Sequence, residues 1–201
     1  LDLRVLGVHV IDRRPQRFDR GDRVGAHPHQ VARVEVDADH RPDRVALRMD
    51  DRILTYAQLD RAARGVATSL RHRGLRPGES VALLIPNVPE FTIAYFGILY
   101  AGGAVVPINV LAAAPEVAYF LADSEAKLLI AHPFFGAPAK AGAEQADVPL
   151  VLAGGGSGPG TLEDMQAAEP IAALEPTPAD QTAVILYTSG TTGKPKGVQR
   201  D

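Results

Sequence analysis

Residues 80–109 read SVALLIPNVPEFTIAYFGILYAGGAVVPIN, and this stretch decides the predicted fold. Residues 80–85 and 104–108 are apolar runs of strand length. Between them Pro89-Glu90 opens a helix and Gly102-Gly103 closes it, because proline is tolerated in the first helical turn and glycine commonly follows the last. Two apolar strands joined by a helix predict a parallel pair in a sheet that is covered on both faces.

The alternation of strand and helix continues on both sides of this unit. Upstream, we predict a strand over 45–49, a turn at Asp50-Asp51, and a helix that starts at Thr55 and ends before Gly74. Thr55 and Gln58 have the spacing of a capping box, and Gly74 suits the position after a helix end. Downstream, helices are expected over 115–123, 134–146 and 161–168, with strands over 127–131, 148–152 and 182–187. The predicted fold class is α/β, a mainly parallel sheet flanked by helices.

Composition narrows the range of partners. The chain has 201 residues and a formal net charge of −3, so it presents no basic field for nucleic acid. It has no cysteine, which excludes disulfides and thiolate zinc sites and fits a reducing cytoplasm. Residues 91–115 carry no charge, but Gly102-Gly103 and Pro107 divide them into a buried helix and strand. We expect no integral membrane span, and a location that is cytoplasmic or peripheral to a membrane.

The domain organisation is predicted as a short extension followed by one domain. Residues 1–27 are rich in arginine and aspartate and have little periodicity, so they form a poorly specified extension. Residues 28–201 belong to the domain itself. Within it, GGGSGPG at 154–160 has no neighbouring lysine, and a flexible loop is favoured over a phosphate cradle.

The segment that carries chemistry is YTSGTTGKPKGV, residues 187–198, which follows the last apolar strand. Gly190 and Gly193 let the backbone approach a ligand, and successive amides in such a turn bind anions. Lys194 and Lys196 add positive charge suited to phosphate. Hydroxyl groups come from four further residues, Thr188, Ser189, Thr191 and Thr192. An ordinary glycine-rich turn is the alternative, but donors at the carboxyl end of a strand favour a polyphosphate site.

This segment differs from a Walker A loop. That loop has four residues between its first glycine and the Gly-Lys pair, whereas here only Thr191-Thr192 separate Gly190 from Gly193. Pro195 disfavours a helical conformation for Lys194. We therefore expect the chain to leave the loop extended through Gly197-Val198, so that a loop and not a helix amino terminus binds the anion.

Residues 187–198 resemble the signature of the adenylate-forming superfamily, which comprises acyl-CoA synthetases, peptide-synthetase adenylation domains and luciferases. LTYAQL at 54–59, RPGESVALLIPNVPEF at 76–91 and GGAVVPIN at 102–109 are similar to the same family. The likeness is greatest to bacterial fatty acid–CoA ligases, although Gln199-Arg200-Asp201 looks more like short-chain synthetases. The resemblance implies that residues 28–201 are the amino-terminal portion of the large AMP-binding domain, truncated at residue 201.

The resemblance also implies a two-step reaction. A carboxylate attacks the α-phosphate of ATP to give an acyl adenylate and pyrophosphate, and coenzyme A then takes the acyl group, with Mg²⁺ assisting. Thr188 would contact phosphate and, through it, magnesium, and Lys194 would bind the β- and γ-phosphates. The full set of expected phosphate-binding residues is Thr188, Ser189, Gly190, Thr191, Thr192, Gly193, Lys194 and Lys196. No catalytic residue is assigned, because the family's remaining site residues lie beyond residue 201.

Two other readings stay open. A peptide-synthetase adenylation domain has the same loop but passes its acyl group to a carrier protein, and a truncated paralogue would have no catalysis. The fragment alone is expected to be inactive. Neither the carboxylic acid, its chain length, the thiol acceptor nor the oligomeric state follows from the sequence.

Isolated residues are given structural interpretations. His27 and His29 have no third metal ligand nearby, so a solvated tail is favoured. Phe91, Tyr95 and Tyr119 lie in apolar helical runs and are expected in the core.

Overall fold

The structure is a computed structural model that describes residues 37–154, 156, 158–174, 176–188 and 196–200. The extension at 1–27 and His27 and His29 lie outside this range. The strands are β1 (Val45–Met49), β2 (Arg52–Thr55), β3 (Ser80–Leu84), β4 (Ala104–Pro107), β5 (Leu129–Ala131), β6 (Leu150–Leu152), β7 (Val184–Thr188) and β8 (Lys196–Arg200). The helices are α1 (Tyr56–His72), α2 (Pro89–Tyr100), α3 (Ala114–Asp123), α4 (Gly136–Ala146) and α5 (Leu162–Ala167).

The described strands form a six-stranded sheet and a separate hairpin. The sheet has the order β6-β5-β3-β4-β7-β8, and every neighbouring pair is parallel except β7 with β8. β1 and β2 pair antiparallel through the turn expected at Asp50-Asp51, where Asp50 has a φ of 51°. The predicted fold class, a mainly parallel sheet flanked by helices, is confirmed.

Alternate residues of the central strand β3 enter two different cores. Val81 and Leu83 pack in one core with α1, α2 and α5, whereas Ala82 and Leu84 pack in the other with α3 and α4. A strand that is buried on both faces has apolar side chains at every position, because neither face meets water. The continuous apolar run at 81–85 is the sequence signature of this arrangement.

The uncharged region at 91–115 contains a buried helix and a buried strand, as expected. Every residue of α2 is buried, and β4 pairs with β3 in register from Ser80↔Ala104 to Leu83↔Pro107. None of the helices in the part of the chain that the structure describes combines the length and apolarity needed to cross a bilayer.

Local signals at helix ends are confirmed. The Thr55 side chain accepts a hydrogen bond from the Gln58 amide, and the Gln58 side chain accepts one from the Thr55 amide. Gly74 follows the end of α1 with a φ of 90°, a conformation that costs glycine little. The Thr161 hydroxyl accepts a hydrogen bond from the Asp164 amide at the start of α5.

Several expectations need correction. The helix expected over 134–146 starts only at Gly136, after a 3-10 turn at Pro133–Phe135. This start places Pro138 in the first helical turn, where no intrahelical amide donor is lost. Tyr119, expected in the core, is half-buried, whereas Phe91 and Tyr95 are buried as expected. Strand β7 is also less buried than expected, since only Val184 is buried among Val184–Tyr187.

Candidate functional site

The candidate phosphate loop lies between two antiparallel strands at the carboxyl edge of the sheet. β7 runs parallel to β4 and ends at Thr188, and β8 returns from Lys196. The chain therefore enters a strand after the loop, which confirms the extended exit expected through Gly197-Val198. The expected binding residues Ser189, Gly190, Thr191, Thr192, Gly193 and Lys194 lie outside the described residues.

Two of the expected binding residues are brought together by the hairpin. Thr188 and Lys196 are Cα partners in the β7–β8 ladder, immediately before and after the loop. All residues of β8 are exposed, so the Lys196 ammonium reaches solvent at the base of the loop. A lysine in this position supplies a mobile positive charge close to any anion that the loop binds.

The position of β7 places the start of the loop beside a change of direction in the sheet connections. The helix after β3 is α2, which packs in the first core, whereas the helix after β4 is α3, which packs in the second core on the opposite face. Adjacent strands whose connections leave to opposite faces define a topological switch point, where ligands of parallel sheets bind. Because β7 neighbours β4, the loop leaves the sheet next to this point.

Tyr187 is a residue of this site to which the sequence alone assigns no role. Its hydroxyl donates a 2.7 Å hydrogen bond to Asp123 Oδ2, at the end of α3, and its ring centroid lies 4.6 Å from that of Phe120. Burial raises the pKa of the Tyr187 hydroxyl far above its ordinary value, and the hydrogen bond to the Asp123 carboxylate raises it further. Tyr187 therefore stays protonated as a donor at physiological pH. The sequence shows Tyr187 at the start of the motif, but its partner Asp123 lies 64 positions away, so the contact could not be read from the motif.

The described residues do not form a preassembled metal centre. No three histidine, aspartate or glutamate side chains converge among them. Asp50 and Asp51 lie in the predicted turn, and both are exposed. The assignment of Thr188 to magnesium through phosphate therefore stays a prediction.

Comparison with known proteins places this architecture in a family. The family model described as AMP-binding enzyme matches residues 34–201. A long-chain-fatty-acid–CoA ligase, FadD13 of Mycobacterium tuberculosis, is 39% identical over 155 residues, which cover 72% of this chain and 29% of the relative. Bacitracin synthase 3 of Bacillus licheniformis is 35% identical over 163 residues, which cover 80% of this chain and 2% of the relative.

Solved structures agree with the sequence comparison. The anthranilate CoA ligase AuaEII, in complex with anthranoyl-AMP, superposes with a TM-score of 0.78 at 30% identity, over 84% of this chain and 34% of that protein. The chain thus spans about a third or less of the length of these relatives. Since the family match covers most of the chain, including the loop and the strands that hold it, the chain belongs to the family of AMP-binding, adenylate-forming enzymes.

Proposed function

We propose that the intact protein activates a carboxylic acid with ATP and transfers the acyl group to coenzyme A. The observation that carries this proposal is the β7–β8 hairpin, which presents a hydroxyl-, glycine- and lysine-bearing loop at the carboxyl edge of a parallel sheet. This placement fits a polyphosphate, because backbone amides, hydroxyls and ammonium groups are its preferred donors. In this proposal residues 28–201 form the amino-terminal portion of the AMP-binding domain and act in the cytoplasm.

The first step forms a mixed anhydride. A carboxylate oxygen attacks the α-phosphorus of ATP, the bond to the bridging oxygen breaks, and pyrophosphate leaves with the electron pair. Negative charge grows on the leaving group, and fixed donors that surround it lower the barrier because they need not reorganise. Lys194 and Lys196 supply positive charge to this leaving group, and the hydroxyls of Thr188, Ser189, Thr191 and Thr192 supply hydrogen bonds.

The second step releases AMP. The thiol sulfur of coenzyme A attacks the acyl carbon of the adenylate, the thiol proton passes to a base, and AMP departs. Mg²⁺, held through phosphate oxygens near Thr188, would add charge neutralisation in the first step. The phosphate loop faces pyrophosphate, which has left before the second step begins. Loop variants are therefore expected to slow the first step selectively.

We propose a fatty acid as the substrate. The support is the 39% identity to a long-chain-fatty-acid–CoA ligase over most of this chain. The second candidate is an adenylation domain that loads a carrier protein, which is favoured by the 35% identity to bacitracin synthase 3 over a slightly longer stretch. The two candidates differ in their acid and in their thiol acceptor.

The test is an ATP–pyrophosphate exchange assay on the intact protein with fatty acids of graded chain length and a panel of amino acids. Exchange that depends on a fatty acid, followed by acyl-CoA formation, supports the ligase. Exchange that depends on an amino acid, with transfer only to a phosphopantetheinylated carrier, supports the second candidate. An absence of exchange with every acid would refute both. The 201-residue chain alone is expected to show no exchange.

A further inference from the structure

We propose that Tyr187 is a positioning residue that fixes the phosphate loop to α3 through Asp123 and Phe120. This inference rests on the proposed function, because it concerns the step that the loop serves. The contact itself does not depend on that function: it consists of a 2.7 Å hydrogen bond from Tyr187 to Asp123 and a 4.6 Å separation between the Tyr187 and Phe120 ring centroids.

Among the described residues, few parts of the fold cover the hairpin. All five residues of β8 are exposed, and β8 is the last strand of the described sheet, with β7 as its one neighbour there. Strand β7 is itself only partly covered beyond Val184. A side chain near the loop that connects the hairpin to α3 therefore adds a direct contact between the hairpin and the body of the fold.

Tyr187 meets this requirement by its place in the strand. It lies one residue before Thr188, where the described part of β7 ends. Its ring also faces Gly197 of β8, where an added Cβ would stand 3.4 Å from the Tyr187 ring atoms Cε1 and Cζ. The Tyr187 ring thus lies directly beside the Gly197 backbone, so that one side chain contacts both strands of the hairpin and α3.

The end of α3 that carries Asp123 is itself bonded to the central strand β3. The Ser80 hydroxyl, at the start of central strand β3, donates a 2.6 Å hydrogen bond to the carbonyl oxygen of Ser124, the residue after Asp123. Ser80 is buried, so this bond is shielded from water. The chain of contacts therefore runs from β3 through the end of α3 to Tyr187 and the loop.

The charge of Asp123 is unfavourable for α3 on its own. Asp123 is the last residue of the helix, where the helix dipole disfavours a negative charge. Hydrogen bonds from donors offset this cost, and the Tyr187 hydroxyl is one such donor. The position of the Asp123 carboxylate therefore favours the hydrogen bond to Tyr187 of β7 and disfavours the end of α3.

Loss of the Tyr187 contact is expected to slow adenylate formation and not thiol transfer. Donors that stabilise a transition state must be held within a fraction of an ångström, and a displacement of about 1 Å can slow a reaction on the order of a hundredfold. Because Asp123 is exposed, water partly replaces a lost hydrogen bond. We therefore expect Tyr187→Phe to slow adenylate formation by about two- to fivefold. Loss of the ring in Tyr187→Ala should slow it by about tenfold or more.

The experiment measures the two half-reactions separately in the intact protein. ATP–pyrophosphate exchange reports adenylate formation, and coenzyme A with preformed acyl adenylate reports thiol transfer. Tyr187→Phe and Tyr187→Ala should slow the first and leave the second within about twofold. The matched control is Tyr119→Phe, which removes a second hydroxyl that hydrogen-bonds Asp123 but keeps the Tyr187–Asp123 hydrogen bond and the ring that packs 6.3 Å from that of Tyr187. This control should match the wild type.

Amide hydrogen exchange of the segment 189–198 gives a readout that does not depend on activity. Exchange should quicken in Tyr187→Phe and Tyr187→Ala and stay unchanged in Tyr119→Phe. The inference is wrong if segment 189–198 exchanges at the wild-type rate in Tyr187→Ala, if both half-reactions slow equally, or if Tyr119→Phe has the effect of Tyr187→Phe. A wild type without pyrophosphate exchange would refute the proposed function, and hydrogen exchange would still decide the positioning role.

Discussion

A methyl group added at Gly97 tests how closely α2 crosses α1. A Cβ at this position would stand 2.5 Å from Val66 Cγ1, 2.6 Å from Val66 Cβ and 3.1 Å from the carbonyl oxygen of Ala63. Val66 is fully buried, and a β-branched side chain in a helix has one strongly preferred rotamer. The clash therefore cannot be relieved by a side-chain rotation and must move one helix against the other.

Two opposing effects set the change in the free energy of unfolding in Gly97→Ala. Overpacking a core costs about 1–3 kcal/mol, and the rigid neighbours here place Gly97→Ala near the upper end. Alanine in place of glycine inside a helix returns about 1 kcal/mol of helix propensity. We expect a net loss of about 2 kcal/mol in the free energy of unfolding. For a chain of this size that loss lowers the Tm by about 4–8 °C.

The assay is urea and thermal unfolding followed by circular dichroism. Gly136→Ala is the matched control, because a Cβ at Gly136 meets nothing within 4 Å and should leave stability unchanged or raise it. Adding Val66→Ala to Gly97→Ala frees the space, so the double variant should be at least about 1 kcal/mol more stable than the sum of the single effects predicts. Additive effects, or a Gly97→Ala chain as stable as the wild type, would show that the helices do not pack this closely.

Three further predictions concern the loop, a helix cap and a buried tyrosine. In the intact protein, Lys194→Ala or Thr188→Ala should slow ATP–pyrophosphate exchange more than thiol transfer, and equal slowing would show that the loop does not serve the first step. Thr55→Ala removes a capping box and should lower the free energy of unfolding by about 1 kcal/mol, measured by urea unfolding; no loss would contradict the cap. Burial raises the pKa of Tyr95 to about 12 from an ordinary value near 10, so its neutral form is favoured by folding. Its contribution to the free energy of unfolding is present below pH 10 and is lost between about pH 10 and 12, by roughly 1.4 kcal/mol per pH unit. When unfolding is measured against pH, Tyr95→Phe should lack this part of the alkaline loss of stability. Identical curves for the variant and the wild type would refute the prediction.

Local features of the fold could be read from the sequence because their causes are local. The Thr55–Gln58 capping box, the glycine after α1 and the turn at Asp50-Asp51 each depend on residues within a few positions of one another. The sequence analysis did not predict the 3-10 turn at Pro133–Phe135. It precedes α4, whose start at Gly136 places Pro138 in the first helical turn, where proline is tolerated.

The candidate site was predicted only in part. The donor types of residues 187–198 and the extended exit from the loop followed from composition and from Pro195. The contact of Tyr187 with Asp123 could not be predicted, because it depends on how α3 lies over β7. The same dependence explains why Tyr119 is half-buried, although its spacing in α3 suggested the core.

The sequence by itself determined that strands and helices alternate, that the central strands are buried, and that a set of hydroxyl, glycine and lysine residues suited to phosphate follows β7. These properties are set by side-chain chemistry and short-range periodicity, which need no knowledge of distant residues. Only the tertiary structure decided the strand order, which inserts β7 beside β4 and brings the loop to the switch point between β3 and β4. Strand order depends on which face each connecting helix covers, and that choice is made by packing between segments far apart in the chain.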